Sequence, residues 1–266
     1  MLGVLLKLAL LSSLGLAYDS SLQYSPQGRV LQVEYAKRRT DKGSPVIGIK
    51  CSDGVLLVSI PLRPKNKLHV RHPQKVFLVD QHVCLAATGL LVDAKGVVEA
   101  AKKLCLQYRI GFQSNIPIEQ LASELAALMH AQTRRLSSRP LGVSLLVVGF
   151  DDDLGSQVYQ INPEGTLDAW RAVSIGSNSQ QLMTHLERLA KQSRIGESSI
   201  DESWMALKSS LQKEHKRLLR AEGDKPETPI RIEVSVPSSY DQLMGHLGML
   251  WTALEGRRDP LECLHL

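Results

Sequence analysis

The sequence predicts an α+β protein folded as a four-layer αββα sandwich, and three observations carry that prediction. The first is order: a helix, four strands, two helices, further strands, two helices, a strand and a last helix. Strands and helices come in runs, unlike the single alternation that builds parallel βαβ sheets. The second is turn chemistry. Asp53-Gly54 joins two β-rich runs, a strong local signal for an antiparallel hairpin. The third is that each helical segment carries one apolar stripe. Two mostly antiparallel sheets packed face to face, with helices on both outer faces, bury all of these stripes at once.

Ser25 announces the opening helix, because its hydroxyl suits an N-cap. Pro26 fits the first helical position, where its absent N–H costs nothing. Val30, Leu31 and Val33 supply the apolar side, Glu34 stands one turn from Arg38, and Gly43 is a natural stop because glycine tolerates left-handed geometry. These limits give a helix of about four turns. Residues 45–50 read as a buried strand and 55–60 as its return; Pro61 and Pro64 then open a basic loop from Arg63 to His72. Lys75 to Val79 and Val83 to Thr88 form a second pair about a turn at 80–82.

Two helices follow. One runs from Val92 to about Tyr108, with Val97, Val98, Ala101, Leu104 and Cys105 at three-to-four spacing. The other is opened by Asn115-Ile116-Pro117 and carries Ile118, Leu121, Leu125, Leu128 and Met129. The short polar loop between them predicts an antiparallel helical hairpin. Strands return at 142–150, 157–161 and 166–175, the last two flanking Pro163-Glu164-Gly165. Further helices span about 179–192 and 203–220, the second with an exposed charge run from Lys213 to Arg217. Residues 230–236 alternate as a strand with one wet face, and Leu243, Leu247, Leu250 and Leu254 mark a last amphipathic helix, weakened by Gly245 and Gly248.

At 266 residues the chain can bury a substantial core, and no internal linker demands a second domain. We expect one domain over 18–266, with 18–43 as an N-terminal segment and helix, and 1–17 as an apolar extension. Met1 to Ala17 resembles a signal-peptide core with small residues before Tyr18, and is too short for a membrane span. A secretory signal, an over-extended translation start and a lineage-specific extension all account for it. The net charge of +5 would admit an acidic partner. However, Lys and Arg are scattered and aromatics are only 5%, whereas nucleic-acid platforms gather both on one face. A solvated basic surface, with no nucleic-acid or membrane partner, is the expectation. Cys51, Cys84, Cys105 and Cys263 are widely spaced with no C-x-x-C pair, so buried reduced thiols are expected in place of a zinc site or disulfide framework.

Motifs of soluble enzyme chemistry are missing. The eight histidines show no H-E-x-x-H spacing, and there is neither a Gly-rich phosphate loop after a strand nor a G-x-S-x-G elbow. Asp151-Asp152-Asp153 lacks the spacing of a calcium loop and reads as a solvated turn. No metal site and no cofactor are expected.

One constellation is specific. Tyr18-Asp19, then Ser25-Pro26-x-Gly28-Arg29-x-x-Gln32-Val33-Glu34-Tyr35-Ala36, resembles the N-terminal signature of proteasome alpha-type subunits, over a length far beyond a short motif. Gly43-Ser44 with 46–50, Asp53-Gly54-Val55, Lys75-Val76, Thr88-Gly89-Leu90, Asp93-Ala94, 139–146 and 174–176 continue the resemblance in order, to about Lys191. Ser-Pro-Gln-Gly-Arg and His72-Pro73-Gln74-Lys75-Val76 look closest to the type-1 form. There are departures: the lead-in is one residue short, Leu22 and Ser20 stand for Thr and Arg, Arg38-Arg39 replace the commoner Glu-Ala, and Pro45 occupies a usually small or hydroxylated position.

The resemblance implies the αββα fold of the N-terminal-nucleophile hydrolases. It also implies a non-catalytic subunit in a seven-membered alpha ring, stacked on a beta ring, that gates substrate entry and docks regulatory particles in ubiquitin-dependent degradation in cytoplasm and nucleus. By the same resemblance, Lys75, Gly43 and Leu90 are expected in a pocket for an activator's C-terminal carboxylate, a task that suits a Lys point charge. Tyr18, Asp19, Pro26 and Tyr35 are expected in the gate cluster. Two other readings stand beside it: a processed hydrolase using Ser44, whose own amine would act as base, and a secreted basic binding protein sharing the fold. Against the hydrolase, the catalytic Asp sixteen residues after the nucleophile falls on Ile60.

Overall fold

The computed structural model describes residues 23–60, 74–135, 138–192, 198–208 and 236–237. The expected apolar extension, Tyr18 and Asp19, the 63–72 loop, the 213–217 charge run, most of the 230–236 strand and the last helix lie outside them.

The chain runs α1 (Leu31–Asp41), β1 (Val46–Cys51), β2 (Gly54–Ser59), β3 (Val76–Asp80), β4 (Val83–Gly89), α2 (Leu91–Phe112), α3 (Ile118–Thr133), β5 (Val143–Asp151), β6 (Gly155–Ile161), β7 (Leu167–Ala169), β8 (Ala172–Ile175) and α4 (Ser179–Gln192). A helical segment over 200–208, here α5, and β9 (Val236–Pro237) complete it. Two antiparallel sheets form, in the orders β8-β1-β2-β9 and β3-β4-β5-β6-β7.

The central strands read as continuous apolar runs because each is covered on both faces, and the period-2 alternation sends neighbouring residues to different layers. In β4, Val83, Leu85 and Ala87 face α2 and α3, while Cys84 and Ala86 face the other sheet. In β2, Val55 and Leu57 turn to the sheet interface, and Leu56 and Val58 to α4 and α5. The helices close the sandwich with their stripes: Val97, Val98, Ala101 and Cys105 from α2, Leu121, Leu125 and Met129 from α3, and Leu182 and Leu186 from α4. The four-layer expectation therefore holds. Among the described residues, no helix is long and apolar enough to cross a membrane.

Five local expectations are corrected. Ser25 does not cap the opening helix. It closes a tight turn instead, with Gly28 N–H donating to its carbonyl at 2.8 Å and Arg29 N–H to its hydroxyl at 3.1 Å. The helix begins at Leu31 and is 11 residues long, about three turns. Glu34 pairs with Arg29, which that turn brings back over it, and not with Arg38. Gly43 is not left-handed; the helix ends on Lys42 in right-handed geometry. Finally, 166–175 is not one strand. β7 edges the five-stranded sheet beside β6 and β8 edges the other sheet beside β1, so the chain crosses layers at Trp170-Arg171.

Two ends extend past their expected limits. α2 reaches Phe112, where the rings of Tyr108 and Phe112 meet one turn apart with centroids 4.5 Å from each other. α5 starts by 200 because Asp53, from the β1–β2 turn, accepts the Ile200 N–H at 2.9 Å.

Candidate functional site

Of the expected site residues, Gly43, Lys75, Leu90 and Tyr35 lie at one end of the sandwich, where α1 lies across the ends of β4 and β5 and hands over to β1, while Tyr18 and Asp19 fall outside the described residues. Gly43 is small because of what it touches. A Cβ there would stand 2.2 Å from the Thr88 hydroxyl and 2.6 Å from the Gly89 nitrogen. The Gly43 carbonyl accepts the Ser177 N–H at 2.8 Å, tying the segment to the end of β8.

Ser44 follows and is buried between β1, β3 and β4. Lys75, just before β3, is only 8% exposed. Its ammonium donates to the Ser44 hydroxyl at 2.5 Å and lies 3.4 Å from the Ser44 carbonyl. The Thr88 hydroxyl donates to that same carbonyl at 2.9 Å. Gly43, Ser44, Lys75 and Thr88 thus form one cluster, with a cation held against a hydroxyl and a backbone oxygen. Thr88 is a member that sequence reasoning quoted only as part of a motif.

Chemically the cluster lacks the carboxylate of a hydrolase. Ile60, in the place of the catalytic carboxylate, packs against the α4–α5 core layer, with its N–H bonded to the Pro45 carbonyl at 3.0 Å. Among the described residues the cysteines offer no substitute. Cys51, Cys84 and Cys105 are free and buried, and burial pushes the Cys84 thiol up to about 12 and the Cys105 thiol to about 11, so thiolate is scarce. Among the described residues no group of three His, Cys, Asp or Glu could hold a metal ion.

Leu90 belongs to a neighbouring feature. With Gln32, Tyr35, Ala36 and Arg39 of α1, and Arg139, Pro140 and Gly142, it lines a cavity of about 250 Å³. The structure therefore brings together Leu90, from the expected docking pocket, and Tyr35, from the expected gate cluster. Pro26 sits exposed in the turn before α1.

The far wall of that cavity is fixed by a contact that sequence reasoning missed. Arg139 grips Asp93 with two donors at 2.7 and 2.8 Å, and the Gly142 N–H donates to Asp93 at 2.9 Å. The only hint in the sequence is that both residues lie in segments carrying the family resemblance. The Arg139 hydrogen bond, and after it that of Gly142, holds the Asp93 carboxyl below the usual carboxylate range in spite of its burial. Its stabilisation is thus complete above the unfolded-state pKa, about 3.9, and is lost as pH falls through the lower folded value. Asp93→Asn is expected to reduce the unfolding free energy by about 1–2 kcal/mol at pH 7. In urea titrations of the purified chain, the two proteins should converge as the pH is taken below the lowered folded value. A gap that persists in acid would show that shape, and not charge, is what Asp93 supplies.

Residues 40–217 match the family described as Proteasome subunit, and residues 18–38 match the N-terminal signature of its alpha-type members. The chain is 35% identical over 193 residues to the alpha type-2 proteasome subunit of Trypanosoma brucei brucei, covering 71% of this chain and 81% of that one. It is 32% identical over 197 residues to the alpha proteasome subunit of Picrophilus torridus, covering 74% and 84%. It is 36% identical over 172 residues to the alpha type-1 proteasome subunit of Dictyostelium discoideum, covering 64% and 68%. Type-1 and type-2 relatives stand at similar identity, so the finer resemblance to type-1 is not singled out.

Proposed function

This chain belongs to the proteasome-subunit family, and from that premise we propose that it is a non-catalytic alpha-type subunit of the 20S core particle. In this reading it stands in a seven-membered ring with other alpha subunits, stacked on the beta ring. It narrows substrate entry through its N-terminal segment and docks the C-termini of regulatory particles in ubiquitin-dependent protein degradation in cytoplasm and nucleus. Residues 18–266 act as one domain. Lys75, Gly43 and Leu90 take the activator carboxylate, and Tyr18, Asp19, Pro26 and Tyr35 set the gate.

The observation that carries the non-catalytic part is the covered Ser44. α1 runs directly into it and packs on β4 and β5, and Gly43 is seated against Thr88 and Gly89 with no room for a side chain. One observation favours the processed hydrolase: the Lys75–Ser44 contact resembles an activated nucleophile. It does not suffice, because freeing the Ser44 amine would mean cutting α1 away from its seat, and Ile60 supplies no proton acceptor.

Gel filtration of the native protein with intact-mass analysis decides between them. The expected result is a complex of several hundred kilodaltons containing a chain that retains residues before Ser44. A chain that begins at Ser44 sinks the alpha-type reading, and a free monomer in the secretory pathway favours the secreted binding protein.

A further inference from the structure

The connection from α3 to β5 carries arginines that the reading above does not use. Arg134 closes α3 and Arg135 follows it; both are exposed, and among the described residues neither meets a carboxylate. Arg139, three residues before Gly142, is the arginine that grips Asp93. Ser138 lies between these arginines in the chain. It is half-buried. Its N–H donates to the Arg135 carbonyl at 3.4 Å, and its hydroxyl donates to the Gln132 carbonyl at 3.2 Å. Gln132 belongs to the last turn of α3, where the carbonyl groups form the negative end of the helix dipole.

We propose that Ser138 is a phosphorylation site for an arginine-directed serine kinase, and that the phosphate draws Arg139 away from Asp93. A kinase with an acidic substrate groove reads positive charge beside its target, and Ser138 has Arg135 three residues before it and Arg134 four before it. In the transfer, the Ser138 oxygen attacks the γ-phosphorus of magnesium-bound ATP. The new O–P bond forms as the bond to the β–γ bridging oxygen breaks; ADP leaves, and the hydroxyl proton passes to the kinase's base. Two forces then act on the product. The donor to Gln132 is gone, and an anion of about −1.5 to −2 charge stands against the carbonyl end of α3, which repels it. The arginines attract it. Three phosphate oxygens at higher charge compete with the single carboxylate of Asp93 for the fork of Arg139, the next residue in the chain. The effect reaches the segment that carries Leu90, because Asp93 accepts the Gly142 N–H at 2.9 Å and the Gly142 carbonyl accepts the Leu90 N–H at 2.8 Å. The site stands on the chain's own residues and does not require the assembly reading.

Two measurements test it. In the first, the purified full chain is incubated with magnesium-ATP and a calmodulin-dependent serine kinase, and the product is mapped by tandem mass spectrometry. Phosphate is expected on Ser138, absent in Ser138→Ala and restored in Ser138→Thr. Arg135→Ala should slow the transfer by about tenfold, and Lys103→Ala on α2 should leave it unchanged. Phosphate found only on Ser137, phosphate on neither serine, or a rate indifferent to Arg135 overturns the site. In the second, urea midpoints are compared with and without the phosphate. The drop caused by Asp93→Asn should shrink by about half or more in the phosphorylated chain, because the carboxylate has already lost much of its arginine. An undiminished drop means that Arg139 stays on Asp93, and overturns the switch.

Discussion

Gly89→Ala is expected to lower the unfolding free energy by about 3 kcal/mol or more. Two costs add. Gly89 has φ +109, a conformation that side-chain-bearing residues rarely adopt. A Cβ there would also stand 2.3 Å from the Gly142 carbonyl oxygen and 3.1 Å from the Thr40 methyl. The carbonyl cannot retreat cheaply, because it accepts the Leu90 N–H at 2.8 Å while the Gly142 nitrogen is held by Asp93 at 2.9 Å. The obstacle is backbone pinned from both sides, so relaxation would break the hydrogen bonds that hold the wall of the cavity. Gly96→Ala in α2 is the control: a Cβ there meets nothing within 4 Å, and helix propensity alone should make the change stabilising by up to ~1 kcal/mol. Urea midpoints of the two variants with unchanged slopes would read this directly. Equal midpoints would mean that the Gly89 turn can be rebuilt at no cost.

Most of the fold was legible in the sequence because its signals are local or two-faced. The Asp53-Gly54 hairpin follows from turn chemistry, and β1, β2, β4 and β5 show as unbroken apolar runs because each is covered on both sides. The misread elements are those where one residue serves two purposes. Ser25 and Pro26 suit an N-cap and a tight turn equally well, and Gly28 three residues on decides for the turn. Gly43 follows the helix end as a stop signal would, yet it is glycine because Thr88 and Gly89 press against it from β4. The crossing at Trp170-Arg171 was hidden because β7 and β8 together look like one strand. The site was legible only as residue types. That Lys75 reaches Ser44, 31 residues away, depends on how the two sheets stack, and that Arg139 reaches Asp93, 46 residues away, depends on the pairing of β4 with β5 within one sheet; no local pattern encodes either.

Lys75→Met is expected to raise the Kd of a peptide ending in a free carboxylate by roughly 30-fold or more, about 2 kcal/mol, in particles that contain this chain. The peptidase activity of the isolated core on short peptides should stay unchanged. The effect depends on how the ammonium is held. It is buried, and the Ser44 hydroxyl and carbonyl fix its direction, so little side-chain entropy remains to be lost on binding. Partial burial also strengthens its attraction for an incoming carboxylate. Met keeps the length and apolar character of the stem. The Ser44 carbonyl remains satisfied by Thr88 at 2.9 Å, so the stability cost should be only about 1 kcal/mol. A docking loss far larger than the stability loss is therefore the signature of a carboxylate-binding lysine. Lys75→Arg should not rescue docking, since a guanidinium is bulkier than the ammonium that fits against Ser44. Ser44→Ala, which removes only one acceptor for the ammonium, should weaken docking by about threefold. If Lys75→Met costs stability but leaves the Kd unchanged, the lysine is a strut that joins β3 to the start of β1, and the carboxylate must be recognised elsewhere.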